Sequence, residues 1–435
     1  MDSVTELAHR IRIHDFTFYA RPNADGFCLG DIPGIGMYPD RSILLPGTCY
    51  LDGGAHAEVI EEYLQSYLRP LGIGAKSVRF VKGDSLFQGI LNDPTERAWL
   101  QDKLSNGIPT TLEAFSASPD WELLTSSLNI DPARLRTPLS SVMRMLDDKE
   151  AFRRLACTLG LEHQFPKHVF ALEPDETLAQ IRVFRKRFPR LVVVKRPDLE
   201  SGVGQLLIRP DTPEEAIEEY VRVYCTTHRP IIIEEGVFGV EGSLQWHVGK
   251  NGIEPRFFGR QYTHNGFHEG NVISHDGLDC LPSEWPRAVR RQRVEDLWEA
   301  TRMYVEWIAE RGHMGPIGFD FFVNPNGFHF LECNARTTAA TYLESVRWQV
   351  ERLGFSNLSA AMKNTYPKRA CDWRSVVAEI ERAGKHLAFR PEEGSGVLIA
   401  NPRLLHLPHP KCLSIAIGRS VEEAETMLEI SRSIL

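Results

Sequence analysis

No run in the 435 residues approaches the ~18 consecutive apolar residues that a bilayer-spanning helix needs, so no membrane span is expected. The opening segment, MDSVTELAHRIRIHDF, lacks the apolar core of a secretory signal. Cysteine is thin: eight residues, at 28, 49, 157, 225, 280, 333, 371 and 412, with no CxxC pair and no regular spacing. That excludes a zinc ribbon or a dithiol redox motif and makes a reduced, cytoplasmic compartment the expectation. Internal repeats and low-complexity tracts are absent, which removes solenoid and fibrous classes. Positive charge is not in surplus either. Lys and Arg number 50 against 58 Asp and Glu, a net of −8, and no nucleic-acid or membrane partner is expected of such a chain. A small anionic ligand remains open, because a few placed cations suffice to hold one.

What is present is ordinary globular material: 42% apolar residues, 33 Gly, and a length sufficient for two to four domains. To about residue 140, short apolar runs alternate with turns. Ser42–Leu45 and Ser77–Val81 read as strands and Glu58–Leu68 as an amphipathic helix, the rhythm of a small α/β unit. Gly34-Ile35-Gly36 looks like part of a phosphate loop, but no second GxxG half follows, so an ordinary turn is the better reading. The pattern changes near Pro138. Asp148 to Gly160 has helical spacing and stops at a C′ glycine. Leu191–Lys195 is a dense β-branched strand, and Gln205–Ile208 resumes after a glycine-bearing loop. Thr212, Pro213 and Glu215 make a capping-box pattern. Further strands are expected at Ile231–Ile233, Ser243–Val248, Pro255–Gln261, Val397–Ala400 and Leu413–Ile417. Trp285–Arg311 reads as a long helix, and a last helix is capped by Ser420 with Glu423 in its first turn.

Two places carry chemistry. Lys195 ends a buried-looking strand, and Ser201-Gly202-Val203-Gly204 begins the turn back. Phosphates bind where glycines let backbone N–H groups close in and a lysine supplies a point charge, although a β-turn beside a snorkelling lysine has the same look. The run GFDFFVNPNGFHFLECNAR, residues 318–336, is more specific. Asn324-Pro325-Asn326-Gly327 fits a three-residue hairpin loop with Gly327 left-handed, which places Asp320 opposite Glu332. Asn334 lies two residues on and shares their face, with neighbouring Phe residues on the other. Opposed carboxylates are unfavourable unless compensated, and a hard divalent cation with oxygen ligands, Mg²⁺ on nucleotide phosphates above all, would do so. Arg336, just beyond, could pair with Glu332 or stabilise a transferring phosphoryl group.

The ordered set over about 141–350 resembles the ATP-grasp superfamily of carboxylate–amine ligases. It runs from Asp148-Lys149 through Lys195, Gly202 and Gly204, the acidic hinge Glu234-Glu235, the step Gly239-Val240-Glu241, to Asp320 and the Glu-x-Asn-x-Arg run of 332–336. The resemblance implies an α/β (α+β) ATP-grasp fold whose two α+β subdomains sandwich ATP, preceded by a small α/β domain. The implied division is 1–140, then 141–350 with small lobe 141–233 and large lobe 234–350, then a C-terminal lobe 351–435. It also implies roles. Lys149 and Lys195 would hold the ATP phosphates under the loop of Gly202 and Gly204. Residues 234–237, with Glu234, Glu235 and Val237, would meet adenine, and Glu241 the ribose. Asp320, Glu332 and Asn334 would hold Mg²⁺, two ions on this reading, and Arg336 and Arg260 would serve the chemistry.

The loop DLESGVGQ is poorer in glycine than in many family members, a departure that bears on its coverage of phosphates. Residues 262–277 are polar and turn-rich and are expected over the acceptor site, with His264, His268 and Arg260 as substrate contacts. For the two histidines, plain loop positions are the alternative; for Arg260, an acid across the sheet. The H-x₃-H spacing is not a zinc site, since Asn265-Gly266 breaks any helix. The expectation is an ATP-dependent ligase with small-molecule carboxylate and amine partners, a homodimer being left open. A phosphotransferase on the same scaffold, or a non-catalytic ATP-binding regulator, stands as the alternative.

Overall fold

The computed structural model describes residues 9–435 except 24, 31, 138, 139, 201, 227, 369–371 and 385; the first eight residues, Pro138 and Ser201 of the sequence reading lie outside it. The N-terminal unit is a parallel sheet of β1 (Arg10–Ile13), β2 (Thr48–Asp52), β3 (Ser77–Val81) and β4 (Thr111–Ala114), in the order β3-β2-β1-β4. All four residues of β1 are buried. Ile11 and Ile13 fill the apolar core, while Arg10 and Arg12 take the other face and reach Glu113 of β4 at 3.0 and 3.1 Å. His14 joins them, 3.3 Å from Glu113 and 2.7 Å from the Tyr342 hydroxyl. Charged residues are tolerated on a central strand because each meets an opposite charge or a hydrogen-bond partner.

Two expectations here need correction. Ser42–Leu45 is not a strand: it closes the 3₁₀ helix Ile35–Leu44. Gly34 is left-handed (φ 76°) and packed so tightly on Leu404 and Leu407 that a Cβ would fall 2.4 Å from one of them. It serves chain packing, not phosphate binding. The helix expected at Glu58–Leu68 is Ala57–Tyr63 continued by a π turn, Leu64–Leu68.

The small lobe is an antiparallel sheet of β5 (His168–Ala171), β6 (Val192–Lys195), β7 (Gln205–Ile208) and β8 (Ile231–Glu235), in the order β5-β8-β6-β7. Helices Pro174–Arg187 and Glu214–Tyr224 cover it. The second begins later than expected. Pro213 is its N-cap, and Thr212 instead accepts from the Arg209 amide at 2.8 Å. Ile181, Phe184, Val192, Val194, Ile217, Val221, Ile231 and Ile233 are among the residues of a core separate from that of the rest of the molecule.

The third sheet has eight antiparallel strands: β9 (Val240–Gly249), β10 (Gly252–His264), β11 (Phe267–Ile273), β12 (Gly315–Asn324), β13 (Gly327–Asn334), β14 (Ser359–Thr365), β15 (Gly396–Ala400) and β16 (Cys412–Gly418). Their order is β13-β12-β9-β10-β11-β14-β16-β15, so the strands beyond residue 350 extend the sheet that begins at residue 240. Helix Arg287–Ala309, after Pro286, lays Leu297, Thr301, Tyr304, Val305 and Ile308 on one face of it. Trp246 of β9 donates to Thr301 at 2.9 Å, so its alternate neighbours Glu241, Ser243 and Gln245 take the opposite face. Residues 262–277 are not a loop. Most of them form the β10–β11 hairpin, turned by left-handed Asn265 and Gly266.

Candidate functional site

The polar face of the large sheet and the open face of the small one bound a cleft of about 810 Å³. Lys195, the last residue of β6, is 5% exposed, and its Nζ stands 2.5 Å from Glu234 Oε1. The other Glu234 oxygen accepts from Arg153 Nη2 at 2.5 Å. Burial favours the neutral carboxyl, yet the two cations hold the Glu234 pKa below the usual carboxylate range. Burial also lowers the pKa of Lys195, with Glu234 opposing. Lys149 opens the helix Lys149–Thr158, which Asp148 caps by accepting from the Glu150 and Ala151 amides. Its ammonium donates to the Leu199 carbonyl at 2.7 Å and meets Glu332 at 2.9 Å. Two lysines from different elements therefore line one cleft beside the glycine-bearing loop.

Leu191, Val193 and Leu207 of the small lobe, with Val237, Phe322 and Leu331, line an apolar slot of the same cleft. Glu235 lines it too and accepts from the Lys167 amide at 3.0 Å. Glu241 accepts from the Thr263 hydroxyl at 2.7 Å, and burial raises its pKa.

The hairpin places Asp320 opposite Glu332, as expected, but by another route. Its tip is a two-residue turn, with Asn324 paired to Gly327 as strand residues and the Asn324 side chain accepting from the Asn326 amide. That register alone would put Leu331 opposite Asp320. A bulge at Leu331 shifts the pairing by one, so Leu331 and Glu332 both line the cleft. Asn334 donates to Asp320 Oδ2 at 3.2 Å, and Gln261 to Oδ1 at 2.9 Å. Burial, then Glu332, pushes the Asp320 pKa up to about 8. For Glu332 burial works against ionisation, but Lys149, Arg336 and Lys195 together outweigh burial and the pKa falls to about 2. Two carboxyls and an amide form a hard-oxygen donor set of the kind Mg²⁺ takes; among the described residues no group of three or more His, Cys, Asp or Glu is placed to hold a metal ion.

Arg336 lies over the Tyr19 and Phe115 rings, 5.4 Å from each centroid, and pairs with Glu200 and, at 3.5 Å, with Asp147. Gly202 (φ 79°) belongs to the loop that lines one side of this cleft. A Cβ there would sit 2.9 Å from the Gly266 carbonyl oxygen, so the hairpin tip and the loop are in contact. Gly204 (φ 68°) offers its carbonyl to the Arg196 amide and the Tyr220 hydroxyl, at 3.0 and 2.7 Å.

Of the expected substrate contacts, His264 is not among the residues that line the cleft, while Arg260 and His268 are. Gln261 reaches Asp320, and Arg260 lines the same cleft, where its guanidinium is taken up by Glu425 at 2.5 Å beside Tyr262. His264 is exposed at the end of β10, its nearest partner Asn265 at 3.1 Å. His268 does line the cleft, bonded to Asn271 at 2.8 Å. Sequence reasoning missed Arg153, Asp147, Glu200 and Gln261, all of them polar partners from distant segments. The i, i+4 spacing of Lys149 and Arg153 on one helix was the available signal for the first.

No protein-family model and no curated protein sequence matches the chain. Solved structures do. N5-carboxyaminoimidazole ribonucleotide synthetase from Thermus thermophilus is 15% identical, each chain 98% covered, with a TM-score of 0.54. N5-carboxyaminoimidazole synthetase from Staphylococcus aureus, complexed with ADP, is 12% identical over 98% of this chain and 97% of its own, with a TM-score of 0.54. Phosphoribosylamine–glycine ligase from Thermotoga maritima is 13% identical over 98% and 96%, with a TM-score of 0.51. The likeness runs through nearly the whole chain, and the fold is the ATP-grasp fold that the resemblance implied.

Proposed function

We propose that the chain is an ATP-dependent ligase that activates a carboxylate as an acyl phosphate and joins it to an amine, on amino-acid or peptide-like substrates. The observation that carries this reading is the meeting of Lys149 and Lys195 with Asp320, Glu332 and Asn334 across one cleft beside a glycine-bearing loop. Complexes of similar folds with ADP support the nucleotide part of it.

On this reading the apolar slot receives adenine, with the backbone of 234–237 at its edge and Glu241 on the ribose. Lys149 and Lys195 bind the phosphates, and the loop of Gly202 and Gly204 covers them. Asp320, Glu332 and Asn334 would hold Mg²⁺, which when bound neutralises phosphate charge. A substrate carboxylate oxygen attacks the γ-phosphorus and ADP leaves with the β–γ bridging oxygen. The amine then attacks the acyl carbon, phosphate departs, and the amine gives up one proton. Phosphate is a far better leaving group than oxide, so one hard displacement becomes two easier ones. Arg336 is placed to meet the developing charge on the transferring group, and loop closure keeps water from the acyl phosphate. His268 is the residue of the β10–β11 hairpin nearest in kind to a substrate contact.

The test is ADP and phosphate release with ATP, Mg²⁺ and a matrix of amino acids and small acids, followed by mass spectrometry of each hit. Carboxylate ¹⁸O recovered in inorganic phosphate is the expected result. A phosphorylated product without ¹⁸O transfer would make the protein a phosphotransferase. ATP hydrolysis that no acid or amine stimulates would leave a nucleotide-binding regulator.

A further inference from the structure

The small lobe has a core of its own, so it can move as a body, and it is tied down on a side that catalysis by the cleft residues does not explain. The tie comes from the long connection between β1 and β2 in the N-terminal unit. Asn23 organises a compact turn there: its side-chain oxygen accepts from the Asp25 and Phe27 amides, both at 3.0 Å, and its backbone N–H donates to the Phe27 carbonyl at 2.8 Å. This turn presents Asp25 and Phe27 to Arg196, the residue after Lys195. Arg196 is 1% exposed. Its guanidinium donates to Asp25 at 2.6 Å, to both oxygens of Asp198 at 2.9 Å, and to the Tyr224 carbonyl at the end of a helix at 3.1 Å. Thr226 adds a bond to Asp25, and the Asn23 side-chain amide one to Asp198 at 3.0 Å. Phe27 stacks on Tyr224 with centroids 4.9 Å apart, and the guanidinium lies over the Phe27 ring at 5.3 Å.

The contact lies at the root of the glycine-bearing loop. Arg196 donates its backbone N–H to the Gly204 carbonyl, so the residue clamped by Asp25 also closes the base of that loop. We infer that Asn23, Asp25 and Phe27 form a strap by which the N-terminal unit positions the loop, Asp25 and Phe27 acting through Arg196. The charge is well chosen: a buried guanidinium held by two carboxylates in nearly fixed geometry resists displacement far more than an exposed pair does. Releasing the strap frees the small lobe to swing and the loop to open. The consequence for nucleotide rests on the proposed function; the strap itself does not.

The experiment compares wild type with Asp25→Ala/Phe27→Ala, and with Asp25→Asn, which keeps the shape and removes the charge. Hydrogen exchange of the 196–205 backbone is followed in the nucleotide-free full chain, and dissociation of a fluorescent ATP analogue in stopped flow. Removing a buried charge-assisted contact should speed both by roughly tenfold or more in the double variant, with Asp25→Asn between it and wild type. Exchange in β1–β4 stays at its wild-type rate and certifies that the variants are folded. Wild-type exchange at 196–205 in the double variant overturns the strap. A wild-type protein that binds no ATP analogue refutes the nucleotide reading instead, and the exchange comparison still decides this one.

Discussion

Replacing Glu234 by Gln keeps the shape of the side chain and removes its charge. It leaves Lys195 and Arg153, both within 2.5 Å of the lost carboxylate oxygens, as two neighbouring buried cations. Breaking a buried pair from one side costs about 3–5 kcal/mol, because the remaining charge has neither water nor partner. The structure sets a ceiling on the cost. Lys195 can discharge instead, and from its ordinary value of 10.5 that costs about 5 kcal/mol at pH 7. The lobe should therefore lose about 4 kcal/mol, which at a urea slope of about 2 kcal/mol/M moves its midpoint by about 2 M. Equilibrium urea unfolding, followed by exchange of the β6 and β8 amides, reads this directly. Adding Lys195→Met should recover most of the loss, since the stranded ammonium is then gone. A loss below about 1 kcal/mol for Glu234→Gln, or a double variant no better than the single, would refute the assignment of Glu234 as the charge that balances the lobe.

Glu332→Gln and Asn334→Ala should each abolish ADP release, by at least about a hundredfold, with an unchanged circular dichroism spectrum; wild-type turnover in either removes that residue from the metal set. Gly202→Ala imposes a left-handed alanine and a Cβ 2.9 Å from the Gly266 oxygen, so the KM for ATP should rise about tenfold while the unfolding midpoint hardly moves. Burial pushes the pKa of His313 down to about 4 from 6.5. Folding favours its neutral form, so its contribution is complete above pH 6.5 and is lost as pH falls toward 4, by about 3 kcal/mol. His313→Gln should flatten the stability profile across that window, and an unaltered profile contradicts the shift.

The parts legible in the sequence were those that local pattern encodes. Lys195 at the end of a β-branched run, the two carboxylates of a hairpin with an obvious turn, and Arg336 two residues past Asn334 could all be placed from spacing. The bulge at Leu331 could not, because a bulge answers to the strand opposite, and the expected register was reached with the wrong turn. Arg260 shows the same limit. It lines the cleft, but its guanidinium is taken up by Glu425, 165 residues later, a partner that no local pattern shows. Arg153 and Glu234, 81 residues apart, and Asp147 with Arg336 are likewise pairs that only the folded chain brings together. The strand Arg10–Ile13 was overlooked for a different reason. Two arginines in four residues contradict the apolar signature of a central parallel strand, and partners such as Glu113 on β4 and, for Arg12, the Pro46 carbonyl make them tolerable.

The continuity of the eight-stranded sheet sets a limit on how the chain may be shortened. β14 lies against β11 from Gly270 to Ile273, with Lys363 to Ala360 opposite. Ending the chain near residue 350 would strip that partner away and leave β11 with a row of unsatisfied N–H and C=O groups. Val272 and Ile273, fully buried in the intact protein, would sit on the new edge. Such an edge pairs with the next copy of itself, so the shortened protein should collect in insoluble material while the full chain stays dispersed.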